Sequence, residues 1–226
     1  KKLLEKNIFT LAFHPICSNG RNNSILHYTY NKNKLLKNSL VLMDVGCKYK
    51  QYCSDVTRTF PRNGKFTEKQ RNIYNIVLEC QKKAIKHVNH NTDWKELEDN
   101  MRIMMFDMLH ELNLVYDVNS HKEKIKITKL FMPHGLGHSI GLETHDPEAK
   151  DIMNILKKNM VLTIEPGIYF IDDLMKKSKK VNINEVNKYR NIGGIRIEDV
   201  VLVNTSNCSV LSNIPKEIKD IEKLIK

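Results

Sequence analysis

Five residues of this chain carry groups suited to hydrolytic metal chemistry: Asp44, Asp55, His138, Glu165 and Glu198. Four carboxylates and one imidazole make an oxygen-rich donor set that suits Mn²⁺, Co²⁺, Fe²⁺ or Zn²⁺, the histidine turning it away from purely Mg²⁺ or Ca²⁺ chemistry. Two divalent ions would offset the four negative charges. Such a pair, about 3.5–4 Å apart, can bridge a water, bring its pKa from 15.7 toward roughly 7 and polarise a carbonyl. That is peptidase chemistry.

Each residue alone also has a plainer reading. Asp44 and Asp55 lie on two strand-like arms, and the even number of residues between them predicts direct cross-strand pairing, with Cβ atoms about 4.5–5.5 Å apart. Beside Leu42, Met43, Val45 and Val56 they would cost several kcal/mol if buried unpaired, so a cationic group is expected between them; the alternative is a pair of exposed edge carboxylates. His134 and His138 have helical zinc-site spacing, but Gly135 and Gly137 disfavour a helix and no Glu follows the first His, which excludes the H-E-x-x-H protease helix. A loop carrying two imidazoles, followed by His145, is expected, against the alternative of structural histidines. Glu165 ends an apolar strand just before Pro166 and Gly167. Alternation along GGIRIEDVVLV sets Arg196 and Glu198 on one face and Ile195 and Ile197 on the other, unless both charges lie exposed on a half-solvated strand.

The elements that must hold these groups are legible in outline. Strands are expected around Thr10 to Cys17 and Leu26 to Tyr30, a hairpin over residues 39–60, and strands over Met160 to Glu165 and Gly194 to Val203. Thr67 with Gln70 forms a capping box, and the apolar spacing predicts a helix to about His87; Asp93 with Glu96 starts a second, ending near Asn113. The Met-rich stripe of that second helix reads as core filling. A polar, Lys-rich connection precedes Leu130, residues 1 to 8 read as the end of a helix, and a last helix begins near Pro215. One α+β domain, a curved antiparallel sheet covered by helices, accounts for these elements.

Composition narrows the classes. With 41% hydrophobic and 28% charged residues, 9 Gly and 6 Pro, the chain is neither low-complexity nor wholly disordered. Its net charge of +11 comes from scattered Lys more than from Arg interleaved with aromatics, so a solvated surface is expected and no nucleic-acid partner. No apolar run approaches the roughly 18 residues of a bilayer span, and no membrane partner is expected. The 5 cysteines are odd in number, lack a C-x-x-C pair and suit a reducing compartment, cytoplasmic or else mitochondrial. Because the chain starts without Met and in mid-pattern, a preceding segment is expected to be absent.

In their order, Asp44, Asp55, His138, Glu165 and Glu198 resemble the five metal ligands of the pita-bread metallopeptidases, which include methionine aminopeptidase, aminopeptidase P and prolidase. LHY at Leu26 to Tyr28, SDVTRTFP at Ser54 to Pro61, FMPHGLGH at Phe131 to His138, LTIEPGIYFID at Leu162 to Asp172 and GGIRIED at Gly193 to Asp199 resemble the proline-directed branch. FMPHGLGH and EPGIYFID point most closely to prolidase, the Xaa-Pro dipeptidase, with aminopeptidase P the nearest alternative and a catalytically inert binding module of the same fold the alternative of another class.

The resemblance implies that residues 1–226 form the catalytic domain without the family's N-terminal domain, and that the complete protein is a homodimer. It implies two divalent ions, Mn²⁺ first with Co²⁺ or Zn²⁺ possible, and a small Xaa-Pro peptide as substrate. By it, Asp44 and Asp55 bind one metal, Asp55 bridging; His138 completes the other site; Glu165 and Glu198 contact both, Glu165 also moving a proton. His27 and His145 match substrate-contacting histidines, His134 a histidine near the leaving group, and Arg196 an outer residue holding the metal carboxylates. One departure stands out: no Arg lies between Asp146 and Glu165, where prolidase carries one that binds the dipeptide carboxylate. An Arg-bearing loop between Asp146 and Lys157, missing from the chain as written, is the expected explanation.

Overall fold

Two short strands, β1 (Thr10–Leu11) and β2 (Ile16–Asn19), begin the part of the chain that the computed structural model describes, residues 10–146 and 154–225. The helical end expected at residues 1 to 8 lies outside it. Where one strand was expected over Thr10 to Cys17 there are two, parted at residues 12–15, and Leu26 to Tyr30 is turn and irregular chain instead of a strand. A 3₁₀ turn over Gly20–Ser24 delivers this segment, whose Tyr28 packs with Ile16 and Leu42.

The expected hairpin is present. Strands β3 (Leu40–Val45) and β6 (Val56–Pro61) pair antiparallel, with β2 on the other side of β3. Beyond Gly46 the same two arms continue as β4 (Cys47–Tyr49) and β5 (Tyr52–Cys53), with β1 beside β4. The arms close through Lys50 and Gln51 at φ 46° and 72°, the two left-handed residues of a type I′ turn, here without glycine. This turn sets the register, which differs from the sequence expectation: Asp44 faces Thr57, and Asp55 falls opposite Gly46. The shift is by two residues, so both aspartates still point to one face.

Helix α1 (Glu68–His87) starts from the complete Thr67–Gln70 capping box, and α2 (Trp94–Glu111) from Asp93, whose side chain accepts the Glu96 backbone N–H at 2.9 Å. Met101 and Met105 are buried with Leu97, Phe106 and Leu109, as core filling requires. Helix α3 (His121–Phe131) occupies what the sequence presents as a Lys-rich connection. It was hidden because only Ile127, Thr128 and Phe131 are buried, too short a stripe to show a period.

The remaining strands form two linked ladders. β7 (Val161–Ile164) pairs with β10 (Asp199–Val203), which also pairs with β11 (Cys208–Val210); β8 (Gly167–Tyr169) pairs with β9 (Gly194–Arg196). Two single-turn helices, α4 (Asp172–Met175) and α5 (Ile183–Val186), lie between β8 and β9, and α6 (Ile218–Leu224) ends the described chain. The strand expected over Gly194 to Val203 is thus broken at Ile197 and Glu198. The cause is a change of partner: Ile197 N–H donates to Pro166 O, and Glu198 N–H to Thr57 O at 3.1 Å.

On the far face of β6, Arg58 donates to the Glu198 carbonyl at 2.5 Å, to Asp199 Oδ1 at 2.6 Å and to the carbonyls of Ile214 and Pro215 at 2.9 and 3.2 Å. Lys216 Nζ and Gln81 Nε2 complete the shell of Asp199 Oδ2. All five cysteines are free, and no helix among the described residues is long and apolar enough to cross a membrane.

Gly46 is where the hairpin admits no side chain, because an added Cβ would lie 1.9 Å from the Ser54 carbonyl oxygen, beside Asp55. Gly46→Ala should therefore cost about 1–3 kcal/mol of stability, the range for an overfilled packed site, and weaken metal binding by displacing Asp55. Denaturant unfolding with and without Mn²⁺ measures both, and an unchanged midpoint would show that the arms separate freely.

Candidate metal centre

The two ladders place the glutamates. Because Ile164 pairs with Asp199 and Gly167 with Arg196, Glu165 stands opposite Glu198 at the break between them. Pro166, without an N–H, prevents the ladder from continuing through. The hairpin supplies Asp44 and Asp55. The HGLGH loop supplies His138, held to β7 by His138 N–H donating to Thr163 Oγ1 at 3.0 Å and Thr163 N–H to His138 O at 2.8 Å. Gly137 is required there, since a Cβ would meet Thr163 O at 1.9 Å.

All five residues line one cavity of about 510 Å³, together with His27, His134, His145 and Arg196. Ligand atoms of Asp55, His138 and Glu198 lie within 4.8 Å of one another. His138 Nε2 is 3.6 Å from Asp55 Oδ2 and 3.4 Å from Glu165 Oε1, while its Nδ1 bonds the Ser139 carbonyl at 3.0 Å. A carbonyl only accepts, so Nδ1 carries a proton and Nε2 is the ring atom turned to the carboxylates. The His145 ring sits 4.2 Å from that of His138, and His27 and His145 also border a second lobe lined by Phe13, His14 and Thr29.

The cationic group expected between the aspartates is present as Arg196, though it bonds only one of them. Its Nη2 donates to Asp44 Oδ2 at 2.7 Å, Nε to Thr57 Oγ1 at 3.1 Å and Nη1 to the Tyr169 hydroxyl at 2.9 Å. The Thr57 hydroxyl donates to Glu198 Oε2 at 2.7 Å, and Tyr169 OH lies 2.9 Å from His134 Nε2. His134 Nδ1 bonds the Gly135 carbonyl at 2.8 Å, so Nε2 accepts from Tyr169. Thr57, Thr163 and Tyr169 were not found from the sequence, although each sits inside a quoted motif, because a hydroxyl gives no sign of its partner. Glu98 and Arg102 of α2, which bind the HGLGH loop from behind, were also missed; a charged residue inside an apolar helical stripe was the available signal.

The electrostatics fit divalent cations. Burial pushes the Asp44 carboxyl up to about 7, against the pull of Arg196. Burial also raises Glu165, and it raises Glu198 well above the carboxylate range with the charges of Glu165, Asp55 and Asp44 adding to it. For His138, burial disfavours the charged ring but Asp55 and Glu165 outweigh it and raise its pKa; His134, buried beside Arg196, falls to about 3 and is neutral. Asp44 Oδ1 and Asp55 Oδ1 are buried without any hydrogen-bond partner. Buried carboxylate oxygens of that kind need a cation or a proton, and the surrounding donor set suits the first.

Without metal, Asp44 binds its proton more tightly folded than unfolded, so its contribution to stability is full below 3.8 and is lost as pH rises through about 7. Thermal unfolding in chelator should therefore show wild type losing stability relative to Asp44→Asn across that window, by at most about 1.4 kcal/mol for each tenfold difference in proton affinity between the folded and unfolded chains. Saturating Mn²⁺ should remove the trend for wild type. Parallel pH profiles for the two metal-free proteins would contradict the assignment.

Comparison with known proteins agrees with this geometry. The model of metallopeptidase family M24 matches residues 1–205. A probable Xaa-Pro aminopeptidase from Pyrenophora tritici-repentis is 36% identical over 245 aligned residues, taking in 100% of this chain and 53% of that protein. Another from Aspergillus niger is 35% identical, over 94% of this chain and 51% of its own length. The structure of Pseudomonas aeruginosa aminopeptidase PepP superposes with a TM-score of 0.85 at 34% identity, covering 99% of this chain and 50% of the other. Aminopeptidase P from E. coli with the inhibitor Pro-Leu gives 0.85 at 35% identity, over 99% and 49%. The chain thus spans about half the length of these relatives, and their names carry the aminopeptidase alternative in place of the expected dipeptidase. The helices and antiparallel sheets form the expected pita-bread fold, and the chain belongs to metallopeptidase family M24.

Proposed function

We propose that residues 1–226 form the catalytic domain of a binuclear metal-dependent Xaa-Pro aminopeptidase, cleaving the bond between an N-terminal residue and proline in peptides longer than two residues. The observation that carries the reading is the pair of unpartnered, buried oxygens of Asp44 and Asp55, in a cavity shared with His138, Glu165 and Glu198. These five residues would hold the ions, Mn²⁺ first. When bound, the ions supply a water of lowered pKa and polarise the scissile carbonyl. An inert binding module would have no use for the complete donor set.

The remaining roles belong to the chain itself. Glu165 takes the proton of the attacking water and delivers it to the proline nitrogen, which leaves as a secondary amine. Arg196 holds Asp44 directly and Glu198 through Thr57. His27 and His145 border both lobes of the cavity, where a substrate lying across the metals would meet them.

Preference for longer peptides follows from charge. Of the described residues lining the cavity, Arg196 is the sole arginine, and Nε, Nη1 and Nη2 are all engaged inside the protein. A dipeptide carboxylate would meet no free guanidinium. The Arg-bearing loop expected between Asp146 and Lys157 falls largely on residues 147–153, outside the described residues, and the sequence there contains no Arg.

Metal-loaded protein, extended at its N-terminus to the length of its relatives, should cleave Ala-Pro-Ala at least about tenfold faster than Ala-Pro, the scale of one charge-assisted contact. Faster cleavage of the dipeptide would restore the prolidase reading, and cleavage of neither would remove the activity. In the same assay His27→Ala or His145→Ala should lower turnover about 10²-fold, a typical scale for acid–base assistance. Elemental analysis should find wild-type metal content in both; loss of metal would make that histidine a ligand.

A further inference from the structure

Arg102 is a buried guanidinium that the proposed hydrolysis does not use. It sits in the middle of α2 among Met101, Met105 and Phe106, and is 2% exposed. A buried cation of this kind persists only when closely matched. Nε donates to Glu98 Oε1, one turn earlier, at 2.7 Å; Nη1 donates to the Met132 carbonyl at 2.9 Å and Nη2 to the His134 carbonyl at 2.5 Å. The other oxygen of Glu98 accepts the Leu136 N–H at 3.5 Å. The pair thus grips alternate residues of the FMPHGLGH segment, Met132, His134 and Leu136.

The far edge of the same segment is sewn to β7, with Glu165 N–H donating to Leu136 O at 2.8 Å and Thr163 bonded to both main-chain groups of His138. Strand β7 therefore fixes the His138 end, and α2 fixes the His134 end. His134 needs that precision: its Nε2 must lie within reach of the Tyr169 hydroxyl, which Arg196 orients while also holding Asp44. We propose that Glu98 and Arg102 are a positioning pair, setting the His134 main chain so that its imidazole closes the chain His134–Tyr169–Arg196–Asp44 at the reaction cavity. The role of the cavity rests on the peptidase reading; the grip on the loop does not.

A lysine cannot reproduce the fork, because one ammonium does not serve a carboxylate and two carbonyls in a fixed plane. In metal-free protein labelled with ¹⁵N-histidine, wild-type His134 should appear as a neutral ring protonated at Nδ1, and Arg102→Lys should shift that signal and speed its solvent exchange while the His138 signal stays. In the metal-loaded enzyme kcat/KM for Ala-Pro-Ala should fall about 10²-fold, the cost of roughly 1 Å of misplacement. Because the pair acts through His134, Arg102→Lys should cost less than about threefold more when His134 is already Ala. Should Arg102→Lys fail to fold, Glu98→Gln is read in the same way, with a loss of about tenfold. An unmoved His134 signal, or losses that multiply in the double variant, would overturn the proposal and leave Arg102 a stability residue. If the wild-type enzyme cleaves no Xaa-Pro peptide, the functional reading fails, and the imidazole spectrum still decides the grip on the loop.

Discussion

Five carboxylates, those of Asp44, Asp55, Asp146, Glu165 and Glu198, share one cavity with a single guanidinium among the described residues, and much of the surrounding structure answers that imbalance. Arg196, 4% exposed, compensates Asp44 and reaches Glu198 only through the Thr57 hydroxyl. Asp55 is left to His138, and Glu165 to His138 and the Thr163 hydroxyl. In a dry site, unpaired charges of one sign are costly, which is why burial raises the pKa values of Asp44, Glu165 and Glu198.

Sheet topology makes the arrangement possible without exposing the backbone. Three of these carboxylates come from places where a ladder bends or changes partner, Asp55 opposite the side-chain-free Gly46, Glu165 before Pro166 and Glu198 where pairing passes from β8 to β7, while Asp44 lies within the continuous ladder of β3. At such places side chains need not alternate strictly between faces, so neighbours along the chain can converge on one point. The freed amide groups are still used, as when Glu198 N–H bonds the Thr57 carbonyl. Strand breaks of this kind recur beside active sites for the same reason.

What could be read from the sequence was which residues gather at the cavity, because their types and order carry the chemistry. Asp44, Asp55, His138, Glu165 and Glu198 meet in one cavity, as do His27, His134, His145 and Arg196. Helices α1 and α2 were legible from caps and period. The direct pairing of Asp44 with Asp55 was not, because parity of spacing leaves the hairpin turn undetermined, and Lys50–Gln51 has no glycine to announce it. Helix α3 was hidden by a buried stripe shorter than two full turns. Tyr169, Thr57 and Arg102 act through bonds to residues far away in sequence, and no local pattern records such bonds.

The grip of Arg58 on the C-terminal segment bears on the order of assembly. Residue 58 leaves the ribosome long before most of its partners, since apart from the neighbouring Thr57 carbonyl its guanidinium is satisfied by Glu198, Asp199, Ile214 and Pro215. A nascent chain therefore displays both aspartates of the hairpin well before the residues that lock the opposite side of the centre exist. These contacts span some of the longest separations in the molecule, and closing them carries the entropy of nearly the whole loop between. The acidic cavity is consequently a late product of synthesis, and a chain stopped a few residues short of Lys216 would present its hairpin aspartates without the contacts that lock β6 to the C-terminal segment.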